Sequence, residues 1–500
     1  MLKIFAPLFG FFLAFCLAPF ASAETTPLNG AAYVTKHQGV FNGVKIDYTA
    51  TLAEIALTND QGAPTASISS TAYVRTNVRN SKRRPVLFIW NGGPTAASMT
   101  LHMAGLGPKR LVAPLDPKTP IEPPFEVRDS AHALLDVADL VFVDPVETGL
   151  SRILPAGERA YFYSAEGDAE SVAQYITKWL AAQKRPAAPA FVLGTSYGSI
   201  RAAMVAGALS ESDTPLAGAI LFSQGANLVE TTQRKHNLVG YAVNMSQLAA
   251  IAHYHGRTAY QDLSVYDAMS AAYGYFMSDY LALLAAGRNV TDEQRRDAAQ
   301  KLAAFTGISA DYYLQHDLRI DKGTFRRELL KAEGLVLASN DARYVSPAGA
   351  QAPGDPAVQG VADAHRRHLT EFLGAGAQAD AYRAFAPDAG DWDYGGWTTI
   401  GGRKVGPGAA RSVFADYDWT GEINKAFVAN PSFRLMIATG VYDTLTPAGP
   451  ARMLADDVHL PGEGISLHEY EGGHSFYSNE AEFERLADDL RRFLTEPGRR

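Results

Sequence analysis

Three short motifs in this chain could together activate a hydroxyl. The first is Gly194-Thr195-Ser196-Tyr197-Gly198, a serine flanked by glycines two residues away on either side. A serine hydroxyl attacks a carbonyl only when a base removes its proton and a third group orients that base. The second motif, Gly440-Val441-Tyr442-Asp443, puts a carboxylate just past an apolar run, and the third, Gly472-Gly473-His474, puts an imidazole in a glycine-rich turn. The chain has twelve histidines; His474 is the one in a Gly-Gly turn behind a strand-like run, Ile465–Tyr470. Asp443 is preferred as the acid over Asp456 and Asp457, which fall in a helical pattern. The order serine, acid, histidine suits a nucleophile carried on a strand-to-helix turn. Acyl transfer also needs donors for a developing oxyanion. Asn91-Gly92-Gly93-Pro94 lets backbone amides approach closely, and the pair expected to serve is Gly93 N–H with Tyr197 N–H.

Short apolar runs bounded by turn residues must position these groups. Pro85–Trp90, Leu140–Asp144, Ala190–Gly194, Ala219–Ser223 and Leu435–Gly440 read as parallel strands covered on both faces. Helical patterns at Asp168–Leu180 and Ser199–Leu209 separate some of them, which gives a doubly wound α/β sheet. Val44–Leu57 and Thr71–Asn77 alternate as antiparallel strands at the leading edge. The strand rhythm fails from about residue 230 to 415, where helical stretches at Ser264–Leu284, Asp292–Phe305 and Val361–Leu373 predict a mainly helical insertion. The expected division is a leader at 1–23, a first core segment at 24–232, a cap at 233–414 and a second core segment at 415–500.

Residues 1–23 combine Lys3, an apolar run and Ala21-Ser22-Ala23, the pattern of a cleaved export signal. Cleavage would leave 500 − 23 = 477 residues without a cysteine, since Cys16 is the single one. The expected protein is exported, to a bacterial periplasm or the medium, with no stable membrane anchor after cleavage. A disulfide framework, a cysteine-ligated metal and a cysteine nucleophile are excluded from the remainder. The net charge of −8 without a basic block disfavours nucleic acid as a partner. His253-Tyr254-His255 and His365-Arg366-Arg367-His368 lack carboxylates at ligand spacing, so no metal and no cofactor is expected.

With these residues in view, the chain resembles the serine carboxypeptidases, peptidase family S10, in a bacterial-type form. The likeness rests on Asn91-Gly92-Gly93-Pro94, Gly107-Pro108, Asp144-Pro145-Val146-Glu147-Thr148-Gly149-Leu150-Ser151, Thr195-Ser196-Tyr197-Gly198, Gly440-Val441-Tyr442-Asp443 and Gly473-His474, in the family's order. The resemblance implies the α/β-hydrolase fold, with a mostly parallel central sheet flanked by helices and a mainly helical cap insertion. It implies Ser196 as nucleophile, Asp443 as orienting acid, His474 as base, and an oxyanion hole from Gly93 and Tyr197. Peptides would be the substrates, bound in part by Asn91, Trp90 and Gly92. The two glutamates with which the family reads a C-terminal carboxylate are Thr195 and Gly105 here. Lys109 and Arg110 are the nearby cations for that task. An esterase or acyltransferase on the same scaffold is the alternative, and an inactive binding protein the third reading.

Overall fold

The computed structural model describes residues 28, 30–114, 119, 123–350, 358–388, 390, 392–395, 398–400, 403–405 and 417–496. The leader expected at 1–23 lies outside the described residues.

The sheet strands are β1 (Tyr33–Phe41), β2 (Val44–Thr58), β3 (Pro64–Arg75), β4 (Val86–Trp90), β5 (Asp139–Val143), β6 (Ala190–Thr195), β7 (Gly218–Phe222), β8 (Arg434–Gly440) and β9 (Ile465–Tyr470). They lie in the order β1-β2-β3-β5-β4-β6-β7-β8-β9, with Arg152–Ile153 added against β3. Pairing is antiparallel from β1 to β5 and parallel from β5 through β4 to β9. Every residue of β4, β5, β6 and β7 is buried, so helices must cover both faces, and their unbroken apolar runs follow from that.

On one face pack α1 (Ala165–Ala182), α2 (Tyr197–Leu209) and, from later in the chain, the helix Trp419–Ala429. They contribute Val172, Ile176, Ile200, Ala203, Ile423 and Phe427 to a core with Phe88, Val141 and Val192. The C-terminal helix Phe483–Thr495 covers the other face, setting Leu486, Leu490 and Leu494 against Leu87, Leu193 and Ile220. Each such leucine, wholly buried, is worth about 2 kcal/mol of transfer free energy. This is the α/β-hydrolase fold.

Two features of the edge differ from the sequence expectation. β1 is a strand that no apolar alternation announced, because YVTKHQGVF presents polar side chains on both faces and buries fully only Phe41. β3 starts at Pro64, well before Thr71. Its middle, Ala66 to Tyr73, is buried on both faces through small residues such as Ser67, Ser69 and Ser70, which carry no hydropathy signal.

Within the interval 233–414 the described residues pack in two places. Its first part, including α3 (Leu238–Tyr254), α4 (Val265–Tyr275) and α5 (Asp292–Thr306), has its own core of Met245, Leu248, Met269, Phe276, Leu302 and Phe305. That core joins the sheet through Val441, Tyr442 and Ala448, just beyond β8. The later part, from residue 358 to 395, returns to the hydrolase core. Val361 and Ala364 pack on Met103 and Ala104, while Leu369 and Leu373 enter the sheet core. Further along, Ala96 pairs with Phe385 and Gly149 with Arg383. Helical periodicity is the same whether a helix covers a pocket or backs a sheet, so one continuous cap was the natural reading.

Candidate active site

Ser196 occupies the turn between β6 and α2 with φ +57° and ψ −128°, a conformation costing a non-glycine residue on the order of 1–3 kcal/mol. The surroundings over-determine it. Ser196 N–H donates to Phe222 O at 3.0 Å, and Ser199 N–H to Ser196 O at 2.9 Å. A Cβ on Gly194 would lie 1.8 Å from Gly198 O, and one on Gly92 would lie 2.2 Å from Thr195 O and 2.5 Å from Ser196 Cβ. Two backbones therefore touch here, and only glycine fits at the contact. Ser196 itself remains half-buried rather than enclosed.

Asp443, immediately after β8, is fully buried and accepts Leu445 N–H at 2.7 Å and Thr446 N–H at 3.2 Å on Oδ1. Its Oδ2 accepts the Thr446 hydroxyl at 2.6 Å and lies 2.7 Å from His474 Nδ1. Thr446 Oγ1 is also 3.2 Å from that nitrogen, but its one hydrogen is directed to the carboxylate. A carboxylate only accepts, so Nδ1 carries the proton and Nε2 is left as the basic nitrogen. Asp456 and Asp457 take no part: Asp456 ends the helix after β8, and Asp457 accepts its neighbour His459 N–H.

The serine and the histidine are joined through the end of β7. Phe222 O holds Ser196 N–H, and the next residue, Ser223, donates its hydroxyl to His474 O at 2.9 Å. The cap adds a strap. Asn340 O accepts His474 N–H at 2.6 Å, Ser339 O accepts Thr444 N–H and Oγ1, and Ala342 N–H donates to Tyr442 O. The Asp341–Arg343 ion pair, both side chains buried, stiffens this strap. Nothing in the sequence of residues 338–344 announced the role; it depends on where the cap lands.

The oxyanion candidates also come together. Gly93 is exposed with φ +54°, and a Cβ on neighbouring Gly92 would lie 2.9 Å from Tyr197 N. Tyr197 opens α2, so its N–H has no acceptor within that helix. Three expected substrate contacts are revised. Trp90 is wholly buried, and its indole N–H donates to Gly198 O at 2.8 Å, so it props the nucleophile turn and does not reach a substrate. Gly92 is a buried spacer for the same reason. Asn91 is buried, with Oδ1 accepting Leu101 N–H at 3.0 Å. Lys109 and Arg110 are engaged elsewhere, with Asp129 at 2.5 Å and Glu480 at 3.0 Å.

The histidine motifs have structural duties. His365 and His368 are buried beside His102, and Tyr73 OH lies 2.6 Å from Nε2 of both His102 and His368. Burial holds all three below the usual imidazole range, His365 at about 3. His253 and His255 meet the carbonyls of Leu263 and Ala342. Among the described residues no group of three His, Cys, Asp or Glu could hold a metal ion, and no helix is long and apolar enough to cross a membrane.

Fold and site together bring a serine on a strained strand-to-helix turn, a buried carboxylate and a histidine to one edge of the sheet. Residues 70–267 match the family model of serine carboxypeptidase. No curated protein sequence matches the chain. Among solved structures it is similar to a prohormone-processing carboxypeptidase from Saccharomyces cerevisiae, at 10% identity and TM-score 0.44 over 88% of this chain and 91% of that one. Others are a proline iminopeptidase from Mycobacterium smegmatis, at 13% identity and TM-score 0.38 over 89% and 97%, and a monoglyceride lipase from Saccharomyces cerevisiae, at 10% and 0.36 over 89% and 97%.

Proposed function

We propose that this protein is an exported serine-type carboxypeptidase that removes C-terminal residues from peptides through an acyl-enzyme. The observation carrying the reading is the 2.7 Å contact of His474 Nδ1 with buried Asp443, joined by way of Ser223 and Phe222 to the strained Ser196 turn. Ser196 Oγ adds to the scissile carbonyl carbon while His474 Nε2 takes its proton. The resulting oxyanion accepts from Gly93 and Tyr197 N–H. As the C–N bond breaks, His474 returns the proton to the leaving amine. Water then attacks the ester, with His474 again the base, and the acid product and free serine are released. Export rests on residues 1–23 of the sequence.

A second reading, an esterase or acyltransferase, draws on Thr195 and Gly105. Neither supplies a carboxyl beside the nucleophile, and Thr195 Oγ1 is buried without a hydrogen-bond partner. Fluorophosphonate labelling followed by peptide mass spectrometry tests the nucleophile: an adduct on Ser196, lost in S196A and strongly slowed in H474A, is expected. Comparing a blocked dipeptide acid with its C-terminal amide tests the specificity. Amide cleavage as fast as that of the acid would reject the carboxypeptidase reading.

A further inference from the structure

One buried cation lies between the two segments that carry the oxyanion donors. Arg201, five residues beyond Ser196 on α2, is fully enclosed. Its Nη1 donates to Asn91 O at 3.1 Å and its Nη2 to Pro94 O at 2.8 Å, so a single guanidinium grips both ends of the Asn91–Pro94 turn. Its Nε donates to Asp168 Oδ2 at 2.6 Å, and Asp168, on α1, is itself buried. The Tyr197 hydroxyl donates to the same carboxylate oxygen at 3.4 Å, and the Arg201 guanidinium lies 5.3 Å from the Tyr197 ring centroid.

We infer that Arg201, anchored by Asp168, is the positioning residue that sets the separation of the two oxyanion donors. The inference rests on the serine-hydrolase reading above and deepens it. Gly93 sits inside the turn whose two end carbonyls Arg201 holds, and Tyr197 N–H belongs to the helix that carries Arg201. Moving one relative to the other requires breaking the fork. The planar, five-donor guanidinium suits this task because it fixes direction as well as distance, which an ammonium cannot. The turn's far side is held independently, where Ser98 N–H and Oγ both donate to Asp144 Oδ1 at 2.8 Å. Arg201 therefore controls the nucleophile side of the hole and not the existence of the turn.

The oxyanion exists only after attack, so the effect belongs to the transition state and not to substrate binding. In R201K the charge beside Asp168 is kept but both carbonyls cannot be held at once. The expected result is a kcat lowered about 10- to 100-fold with KM within about twofold, below the cost of deleting an oxyanion donor outright. A peptidyl trifluoromethyl ketone, to which Ser196 Oγ adds to give a tetrahedral oxyanion as His474 takes the proton, should lose affinity by the same factor. The blocked amino-acid product should bind unchanged. D168N should show the same split at smaller amplitude, and it carries the test if R201K does not fold. Unchanged kcat and ketone affinity, or equal loss of ketone and product affinity, would overturn the inference. Absence of a fluorophosphonate adduct on wild-type Ser196 would instead reject the triad reading, so the two failures are distinguishable.

Discussion

The nucleophile half of the site and the acid–base half share one sheet edge but are held by different means. Ser196, Gly93 and Tyr197 are held from the core side, by glycine-permitted backbone contact and by the Arg201–Asp168 and Asp144–Ser98 links. This half lies within the stretch that matches the carboxypeptidase family. Asp443 and His474 lie outside that stretch, and the cap strap at Ser339, Asn340 and Ala342 bonds directly to their loops. On the proposed reading, the serine is set by core packing, whereas the acid and base are held both by the core segment and by where the insertion comes to rest. A change in the cap can thus alter base alignment without disturbing the serine.

The sharpest way to break the comparison is to remove the chemistry from each half. S196A and H474A should each lower kcat by about 10³-fold or more, measured on a blocked dipeptide, and the double variant should lose little beyond that because the two act as a unit. Next, G92A and G473A add a methyl to each half. In G92A the Cβ would meet Thr195 O at 2.2 Å, and a melting temperature lowered by several degrees, with Ser196 labelling lost, is expected. In G473A the Cβ would meet Asn340 O and Asp341 Cβ at 2.3 Å, at the strap. Here turnover should fall about 10²-fold while the fold persists by circular dichroism, because small displacements of a base are costly.

A smaller effect is expected from T446V, which removes the hydroxyl bonded to Asp443 Oδ2. A loss of about 1–1.5 kcal/mol of transition-state stabilisation, roughly tenfold in kcat/KM, should be accompanied by an unchanged circular dichroism spectrum.

The last prediction concerns pH and the nucleophile half alone. Burial raises the Asp144 carboxyl from 3.8 to about 6, against the opposing bonds from Ser98 and Tyr382. A raised folded-state value means that the folded chain binds this proton more tightly than the unfolded chain. The contribution to stability is present below about 4 and is lost as pH rises through about 6, on the order of 2–3 kcal/mol in all. Urea unfolding of wild type and D144N between pH 4 and 7.5 should show wild type losing ground to the variant as pH rises. Parallel curves would show Asp144 ionising normally. The buried histidines act in the opposite sense, since stability they confer above about 6.5 is lost on acidification, and the wild-type/variant difference cancels them.

Much of the fold was legible because its signals are local. Parallel strands buried on both faces must be apolar throughout, and Ser196, Asp443 and His474 each follow such a run or a glycine turn. What escaped was written in side chains without a distinctive pattern. β1 and the serine-rich middle of β3 carry no clear alternation, and residues 358–395 have the helical and loop character of the cap yet pack on the core. Trp90, Asn91 and Gly92 are expected from the sequence to bind substrate and are instead buried supports of the turn, because adjacency in sequence does not say whether a residue faces a substrate or props the backbone behind it. Arg201 and Asp168 fall inside helical patterns with nothing to single them out, and the packing of α1 and α2 against the Asn91–Pro94 turn gives them partners.

Residue order alone was enough to define the α/β class, the strand-turn-helix that presents Ser196, and the succession of acid and histidine, since each depends on residues close together in the chain. Tertiary structure decided which carboxylate meets His474, which nitrogen of that ring remains basic, and which cation braces the oxyanion turn. Those outcomes depend on distances between segments tens to hundreds of residues apart, and a hydrogen bond is made or lost within a fraction of an ångström.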